Sequence, residues 1–243
     1  MPIHYLSALT SMQRTARSNL HLGVSLAFVA GALNAGGFLA IGQYTSHMTG
    51  FVSSAADHLV MGNAVLAAAA LLSLISFVAG AASTAFLVNY AKRNGSAGIY
   101  TTPLLIEAML LVVFGAVGTR LHAHELVSVS LTAVLLCYAM GLQNALITKV
   151  SNAEIRTTHV TGLVTDFGIE LGKLIYWNRD GELLATPVVR ANRKRLAVHA
   201  ALIAAFFVGG LAGAAGFKYV GFSSAIPLAF LLATIAVAPS LTR

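Results

Sequence analysis

Residues 45–50 read TSHMTG, and residues 157–162 read TTHVTG. Both stretches follow one pattern: a threonine, a second hydroxyl residue, a histidine, any residue, a threonine and a glycine. Each interrupts a region that otherwise avoids polar residues, and each follows a related segment, GALNA at 31–35 and GLQNA at 141–145. The chain therefore repeats a polar motif inside an apolar setting, and this repeat decides the predicted fold.

The composition predicts a membrane protein. Of the 243 residues, 57% are hydrophobic and only 9% are charged, whereas soluble domains carry roughly 25% charged residues. A surface with so few charges is unsuited to water. Six apolar runs reach the length of about 17 to 25 residues that crosses hydrocarbon, and they lie at 21–42, 64–90, 103–119, 128–148, 197–216 and 221–238.

The cations are distributed unevenly between the predicted spans. Of 15 Lys and Arg residues, only Arg120 and Lys218 fall in the predicted outer loops, and the other 13 fall in inner segments. This positive-inside bias requires six spans with both termini in the cytoplasm. The basic cytoplasmic loop 177–196 lacks the interleaved aromatics of a nucleic-acid site, so we expect no nucleic-acid partner. Its cations favour anionic lipid headgroups, and those nearest the fifth span are Arg190, Arg193, Lys194 and Arg195.

Two further landmarks recur in the same order. FVAG at 77–80 matches FVGG at 207–210, and the Pro-Leu pair at 103–104 matches that at 227–228. Each half thus comprises a span, a polar motif and two more spans, and three is an odd number, so the second half must be inverted in the membrane. We predict an all-α polytopic membrane protein with six transmembrane helices in two inverted three-helix repeats. Its parts are a cytoplasmic N-terminal segment at 1–20, a first membrane repeat at 21–120 and a second membrane repeat at 121–243.

The two motifs are typical of helix starts. A Thr or Ser side chain can accept hydrogen bonds from the free N–H groups of a first helical turn, and a following glycine permits close approach of backbone or ligand. The candidate caps and glycines are Thr45, Ser46, Thr157, Thr158, Gly50 and Gly162. The predicted helices that follow are 51–61 and 163–176. The first would rise only about 16 Å, so it can enter a membrane but not cross it.

Two interpretations of these short helices remain open. In the first, each is a re-entrant half-helix that lines a buried cavity. In the second, each motif is an ordinary capped turn at the membrane surface, and Asp166, Glu170 and Lys173 form a water-facing stripe. The histidine at the same place in both motifs favours the first interpretation, because a cap alone does not need an imidazole.

Polar side chains inside a membrane are costly, and they mark either function or helix packing. Asn34 and Asn144 occupy equivalent positions in the first and fourth spans, where an amide can bridge helices or hold a solute. His47 and His159 are also equivalent, and an imidazole beside a helix N-terminus can contact a ligand or be a satisfied structural residue. The candidate solute-binding residues are Asn34, Thr45, Ser46, His47, Thr49, Gly50, Asn144, Thr157, Thr158, His159, Thr161 and Gly162.

Four further residues are candidates for coupling or proton relay. Asp57 and His58 lie on the first half-helix, as a relay or as a solvated pair. Glu107 is the lone acid within a predicted full span, and it either carries a proton or extends to the cytoplasmic face. Arg156 directly precedes the second motif. We expect no metal and no cofactor, because metal-ligand spacings such as H-E-x-x-H do not occur.

Two long blocks carry a family resemblance. GALNAGGFLAIGQYTSHMTG at 31–50 and GLQNALITKVSNAEIRTTHVTGLVTDFGIELGKLIYW at 141–177 resemble the YoaK family of bacterial inner-membrane proteins, and the resemblance extends from Leu20 to Val237. It implies a six-span, multi-pass protein of the bacterial inner membrane, and it supplies no substrate. Many relatives have an acid in place of Asn34 and an asparagine in place of Phe51, so a cation role of that acid is not expected here.

Three functions are compatible with these features. The inverted repeat, the two helix N-termini, the histidine pair and Arg156 favour a transporter or channel for a small solute, with a lean to anions and the site between the repeats near the midplane. An intramembrane enzyme would use His47, Asp57 and His159 as acid–base groups. The chain shows no nucleophile–base–orienter set, and we predict no catalytic residue. A non-catalytic lipid-binding or partner-binding protein would rest on the basic loop alone, and homo-oligomerisation remains open.

Overall fold

The computed structural model is all-helical over the residues it describes, which are 15–96, 98–118, 125–151, 158–176 and 188–238. The prediction of an all-α membrane protein is confirmed at this level. A short 3₁₀ helix, Gly221–Ser224, precedes the last α-helix. The α-helices are α1 (Ala16–Ile41), α2 (Met48–Val60), α3 (Ala64–Arg93), α4 (Thr101–Val117), α5 (Glu125–Val150), α6 (Val160–Ile175), α7 (Arg193–Tyr219) and α8 (Ala225–Val237).

Four of these helices, α1, α3, α5 and α7, are long and apolar enough to cross a membrane. They have between 26 and 30 residues, and 26 residues rise about 39 Å, more than the roughly 30 Å of hydrocarbon. The predicted spans at 103–119 and 221–238 correspond to α4 and α8, which are shorter than the other four. Helix α4 has 17 residues and α8 has 13. The count of six crossings therefore stays a prediction.

The outer surface of the bundle is apolar. Large side chains such as Ile75, Phe86, Phe207 and Phe230 are more than 60% exposed, whereas soluble proteins seldom expose contiguous apolar surface of this kind. The long helices are apolar on every side, which is the pattern of helices surrounded by lipid and by other helices. The structure therefore has the exterior of a membrane protein.

Helices α3 and α5 pack side by side and run parallel. The Ser76 hydroxyl donates to the Val134 carbonyl at 2.6 Å, and two turns further on the Thr84 hydroxyl donates to the Leu142 carbonyl at 3.0 Å. Between these bonds a side chain at Gly80 would overlap the neighbouring backbone of α5. Small residues allow this close approach, as is common in membrane helix pairs.

Helices α1 and α7 form a second parallel pair of the same kind. A side chain at Gly209 would overlap the Phe28 carbonyl, and one at Gly213 would overlap the Ala32 carbonyl. The two contacts advance together along both helices, so the helices run in the same direction. Gly209 is the equivalent of Gly80 in this pattern. The segment FVAG therefore corresponds to residues 206–209, and the predicted match with 207–210 is wrong by one residue.

Helix α4 contacts α8 and α5 at its start. The Thr101 hydroxyl donates to the carbonyl of Ala236 at the end of α8, at 3.1 Å. The hydroxyl of Tyr100, just before α4, donates to the carbonyl of Lys149 at the end of α5, at 3.4 Å. Both α8 and α5 therefore run antiparallel to α4.

The last turns of α4 pack against the end of α7. The rings of Phe114 and Phe217 lie 5.9 Å apart, and Phe222 meets Phe114 edge to face at 5.4 Å. Helices α4 and α7 therefore run the same way. Together these contacts direct α1, α4 and α7 toward one end of the bundle and α3, α5 and α8 toward the other.

The two short helices approach the bundle from opposite ends. Helix α2 turns into α3 through Gly62, whose φ of 76° lies in the left-handed region that glycine adopts without strain. Helix α6 is held to the start of α7 by Glu170, whose carboxylate accepts from the Lys173 ammonium at 2.9 Å and from the Asn192 backbone N–H at 2.6 Å. Since α3 and α7 run in opposite directions, α2 and α6 end at opposite sides.

One alternative predicted that Asp166, Glu170 and Lys173 of α6 all face water, and this prediction is wrong for Glu170. Asp166 is exposed, but Glu170 is only 5% exposed. It is buried because its carboxylate joins two helices. The hydrogen bonds from Lys173 and from Asn192 lower the pKa of Glu170 below its usual value.

This lowered pKa predicts how stability depends on pH. The pKa of Glu170 is lower in the folded state, so its contribution is present above the unfolded value of about 4.3 and is lost as the pH falls through the folded pKa. We expect Glu170→Gln to lower the thermal unfolding midpoint at neutral pH. Below about pH 4 its midpoint should approach that of the wild type, and an equally large difference at both pH values would contradict the assignment.

Candidate functional site

Residues of both repeated motifs line one cavity of about 760 Å³. Helices α2 and α6 begin at this cavity, and their other ends lie at opposite sides of the bundle. Its lining combines hydroxyls, amides and imidazoles with a few apolar side chains. The lining residues are Asn34, Tyr44, Ser46, His47, Met48, Thr49, Phe77, Asn144, Thr158, His159, Val160, Thr161 and Phe206.

Eight of the predicted solute-binding residues are among these. The others lie elsewhere: Thr45 is buried against Gly37, Gly50 lines a different cavity, and Gly162 lies against the His159 ring. Thr157 is outside the described residues, as is Arg156. The structure thus brings the two motifs together, and the binding role of their residues stays a prediction.

The start of each short helix differs from the prediction. The helices begin at Met48 and Val160, three residues before the predicted starts, and the N-cap residues are His47 and His159. Neither histidine makes a side-chain cap. The predicted capping by Thr45, Ser46 or Thr158 is therefore wrong, because the helix begins only after the histidine that follows them.

The glycine of each motif accommodates the histidine three residues before it. A side chain at Gly50 would overlap the His47 ring, and a Cβ at Gly162 would lie 2.9 Å from Nδ1 of His159. Each imidazole therefore folds onto the first turn of its own helix, at the edge of the cavity. This explains why histidine and glycine recur at the same spacing in both motifs.

Asn34 holds the first motif against α1. Its side-chain oxygen accepts from the Ser46 hydroxyl at 2.9 Å and from the Ser46 backbone N–H at 3.2 Å. The amide oxygen is thus used within the protein, and the NH₂ group is the part of Asn34 that can serve a solute. The packing role and the binding role considered for Asn34 can therefore coexist.

The cavity lining contains neither an acid nor a Lys or Arg among its described residues. A cation would find no carboxylate there. The first turns of α2 and α6 instead offer backbone N–H groups that lack partners within their helices, and each helix start carries the equivalent of about half a positive charge. The electrostatics of the cavity therefore favour anionic or neutral polar solutes.

Five lining residues were not predicted from the sequence: Tyr44, Met48, Phe77, Val160 and Phe206. A signal for two of them was present. Gly80 and Gly209 make equivalent close helix contacts, and three residues before each glycine lies a phenylalanine of the cavity, Phe77 or Phe206. One turn of helix separates each phenylalanine from its glycine, so close packing and the cavity share a helix face.

A second cavity, of about 210 Å³, adjoins the first. Tyr44 and His47 line both cavities, and His58 lines the second. Asp57 lies on the exposed side of α2, as does Ser53. Of the two residues of the predicted relay, Asp57 therefore lies at the surface and His58 lies at the second cavity.

Glu107 lies apart from both cavities, within the packed part of α4. It is 0% exposed, so the alternative in which its side chain extends to the cytoplasmic face is wrong. Among the described residues, no group of three or more His, Cys, Asp or Glu side chains is placed to hold a metal ion.

The chain is similar to proteins already grouped into a family. A family profile described as "Protein of unknown function (DUF1275)" matches residues 22–238. The "UPF0700 transmembrane protein YoaK" of Bacillus subtilis (strain 168) is 26% identical over 168 residues, which cover 68% of this chain and 73% of that protein. No solved structure matches. The resemblance seen in the two motif blocks is confirmed, and the chain belongs to the DUF1275 family of YoaK-type membrane proteins.

Proposed function

We propose that this protein is a membrane transporter or channel for a small solute, with anions preferred, rather than an enzyme. The observation that carries the proposal is the cavity of about 760 Å³ between the starts of α2 and α6. Helices α2 and α6 extend from opposite ends of the bundle, and their first residues meet at one polar cavity. Interrupted helices of this kind form the substrate sites of many secondary transporters.

The helix directions support a six-span topology for this transporter. Helices α1, α3, α4, α5, α7 and α8 alternate in direction along the chain, as six crossings require. The first three and the last three then form two inverted repeats, with α2 and α6 as re-entrant half-helices. The cation distribution orients the protein with both termini in the cytoplasm of a bacterial cell, in the inner membrane.

The preference for anions rests on the charge of the cavity. The two helix starts contribute positive potential, and the described lining residues contribute no carboxylate. Protonation of His47 or His159 would add a full positive charge next to the solute. An anion gains from each of these contributions, whereas a cation loses from each.

The start of α7 is a second surface with a proposed partner. Arg190, Arg193, Lys194 and Arg195 are all exposed there. In the proposed topology they lie at the cytoplasmic surface of the membrane, where each basic residue gains about 1 kcal/mol from anionic lipid. We assign this cluster to lipid headgroups, which would orient the protein but not supply its function.

Thermal unfolding of the purified protein tests the anion preference. Chloride, nitrate, phosphate and lactate would be compared with neutral urea and glycerol. A ligand at about 100 times its Kd stabilises the folded state by roughly 2.7 kcal/mol, and we expect at least one anion to do so. That anion should then enter liposomes containing the protein faster than protein-free liposomes.

Two results would oppose the proposal. Stabilisation by urea or glycerol alone would show that the cavity takes neutral solutes and would overturn the anion preference. Stabilisation by an anion without any protein-dependent flux would indicate a binding protein rather than a transporter.

A further inference from the structure

Two buried polar side chains on neighbouring helices lie outside the solute cavity. Glu107 on α4 and Gln143 on α5 are both 0% exposed. Both carboxyl oxygens of Glu107 and both amide atoms of Gln143 lack a hydrogen-bond partner among the described residues. Buried polar groups almost always have partners, so this pair of groups requires an explanation.

The two residues lie at similar depths in the bundle. The hydroxyl of Tyr100 contacts the Lys149 carbonyl, which brings the start of α4 near the end of the antiparallel α5. Glu107 is seven residues beyond Tyr100, and Gln143 is six residues before Lys149. These separations correspond to rises of about 10 Å and about 9 Å. Glu107 and Gln143 therefore lie at the same level of adjacent helices to within about one helical turn.

An ionised carboxylate at this position would be very costly. Glu107 lies within an apolar cluster that includes Leu104, Ala108 and Leu111, and a buried charge without a partner becomes neutral instead. A protonated carboxyl has one O–H donor and a carbonyl acceptor, and an amide offers the complementary acceptor and donors. The side chain of Gln143 therefore suits the protonated form of Glu107.

We propose that Glu107 is a buried proton-binding site. Its side chain and that of Gln143 are not hydrogen-bonded to each other in this structure, and we infer that Gln143 becomes the hydrogen-bonding partner of the protonated carboxyl. The site is separate from the solute cavity. The two are connected through α5, because Asn144, the residue after Gln143, lines that cavity. Movement of α5 would therefore affect the proton and the solute together. This coupling role rests on the proposed transport function, whereas the proton site itself does not.

Among the described residues, the elements that pack against α4 supply no other acid at this level. The described titratable side chains on or beside α3, α5 and the start of α4 are Tyr90, Lys92, Arg93, Tyr100, Cys137, Tyr138 and Lys149. Helix α7, whose end packs against the end of α4, carries Arg193, Lys194, Arg195, His199, Lys218 and Tyr219. The cations of α3 and α5 lie in the last turns of those helices, and Tyr138 donates its hydroxyl to Ser83 at 2.8 Å. The described parts of α8 and of the 3₁₀ helix carry no titratable side chain. A protonated carboxyl signal from this region can therefore be assigned to Glu107.

Infrared spectroscopy of the purified full chain tests the site. At neutral pH we expect the wild type to show a protonated carboxyl C=O band that Glu107→Gln removes. Glu170→Gln is the matched control: it replaces the other glutamate that is buried among the described residues, which is paired with Lys173, and it should leave the band unchanged. Gln143→Leu should keep the band but shift its frequency, because the carboxyl loses its hydrogen-bonding partner.

Transfer to D₂O distinguishes a working proton site from a sealed structural acid. A site that loads and unloads a proton must exchange, so the band should shift on deuteration. A band that survives Glu107→Gln, or one that never exchanges, would overturn the proposal. If the Gln variant does not fold, Glu107→Leu replaces it, since Leu231 is the corresponding residue of the other half. The spectra do not depend on solute flux. A protein that transports no solute but shows the exchangeable band would contradict the transport proposal and leave the proton site intact.

Discussion

Gly141→Ala is expected to be among the most destabilising single substitutions in the protein. Its new methyl group would overlap the Phe77 carbonyl, and a backbone atom cannot move aside as the end of a flexible side chain can. Overpacking of this kind costs about 1 to 3 kcal/mol, and we expect the upper end. The measurement is thermal unfolding of the detergent-purified variant.

Gly168→Ala provides the matched control for this prediction. Gly168 is also within a helix, but its added methyl group would meet no atom within 4 Å. Replacing glycine by alanine in an exposed helix stabilises it by about 1 kcal/mol, so this variant should unfold at or above the wild-type temperature. Equal unfolding temperatures for Gly141→Ala and Gly168→Ala would show that α3 and α5 do not approach as closely as described.

The histidine substitutions are expected to have the largest effect on binding. His47→Ala and His159→Ala should each weaken anion binding about tenfold, because a hydrogen bond to a charged group contributes roughly 1.5 to 3 kcal/mol. The measurement is the rise in the thermal unfolding midpoint that the stabilising anion causes in each variant. A rise as large as that of the wild type would contradict the prediction.

Two further variants sharpen this test. The double variant should bind only slightly more weakly than either single variant, because both histidines serve one ligand and their effects are not additive. His58→Ala is the control, since His58 lines the second cavity but not the first. If His58→Ala weakens binding as much as His47→Ala does, the solute occupies the smaller cavity instead.

Composition and repetition predicted much of the fold. Few charges and long apolar runs lead directly to membrane helices, because hydrocarbon excludes charge. The repeated Thr, His and Gly residues also predicted that both motifs belong together, and the cavity contains residues of both. The number of crossings was harder to predict, because α4 and α8 are near or below the usual spanning length.

The details that depend on contact could not be read from sequence. Residues 207–210 contain two adjacent glycines, so the repeat alone allows two registers, and only the contact of Gly209 with Phe28 distinguishes them. The cap of α2 was misassigned because a serine before a helix looks like a cap, whereas Ser46 bonds to Asn34 across the fold. Burial of Glu170 likewise required the position of Asn192, 22 residues away.

Each close helix pair contains one helix from each half of the chain, and this arrangement constrains how the protein is assembled during synthesis. Helix α1 packs mainly on α7, and α3 packs mainly on α5, so each half supplies one helix to each close pair. When the ribosome has synthesised only the first half, the glycine faces of α1 and α3 still lack their partners. The insertion machinery must therefore release an unfinished intermediate that later helices complete. Two separately expressed halves would have to find each other in the membrane before either acquires its native packing.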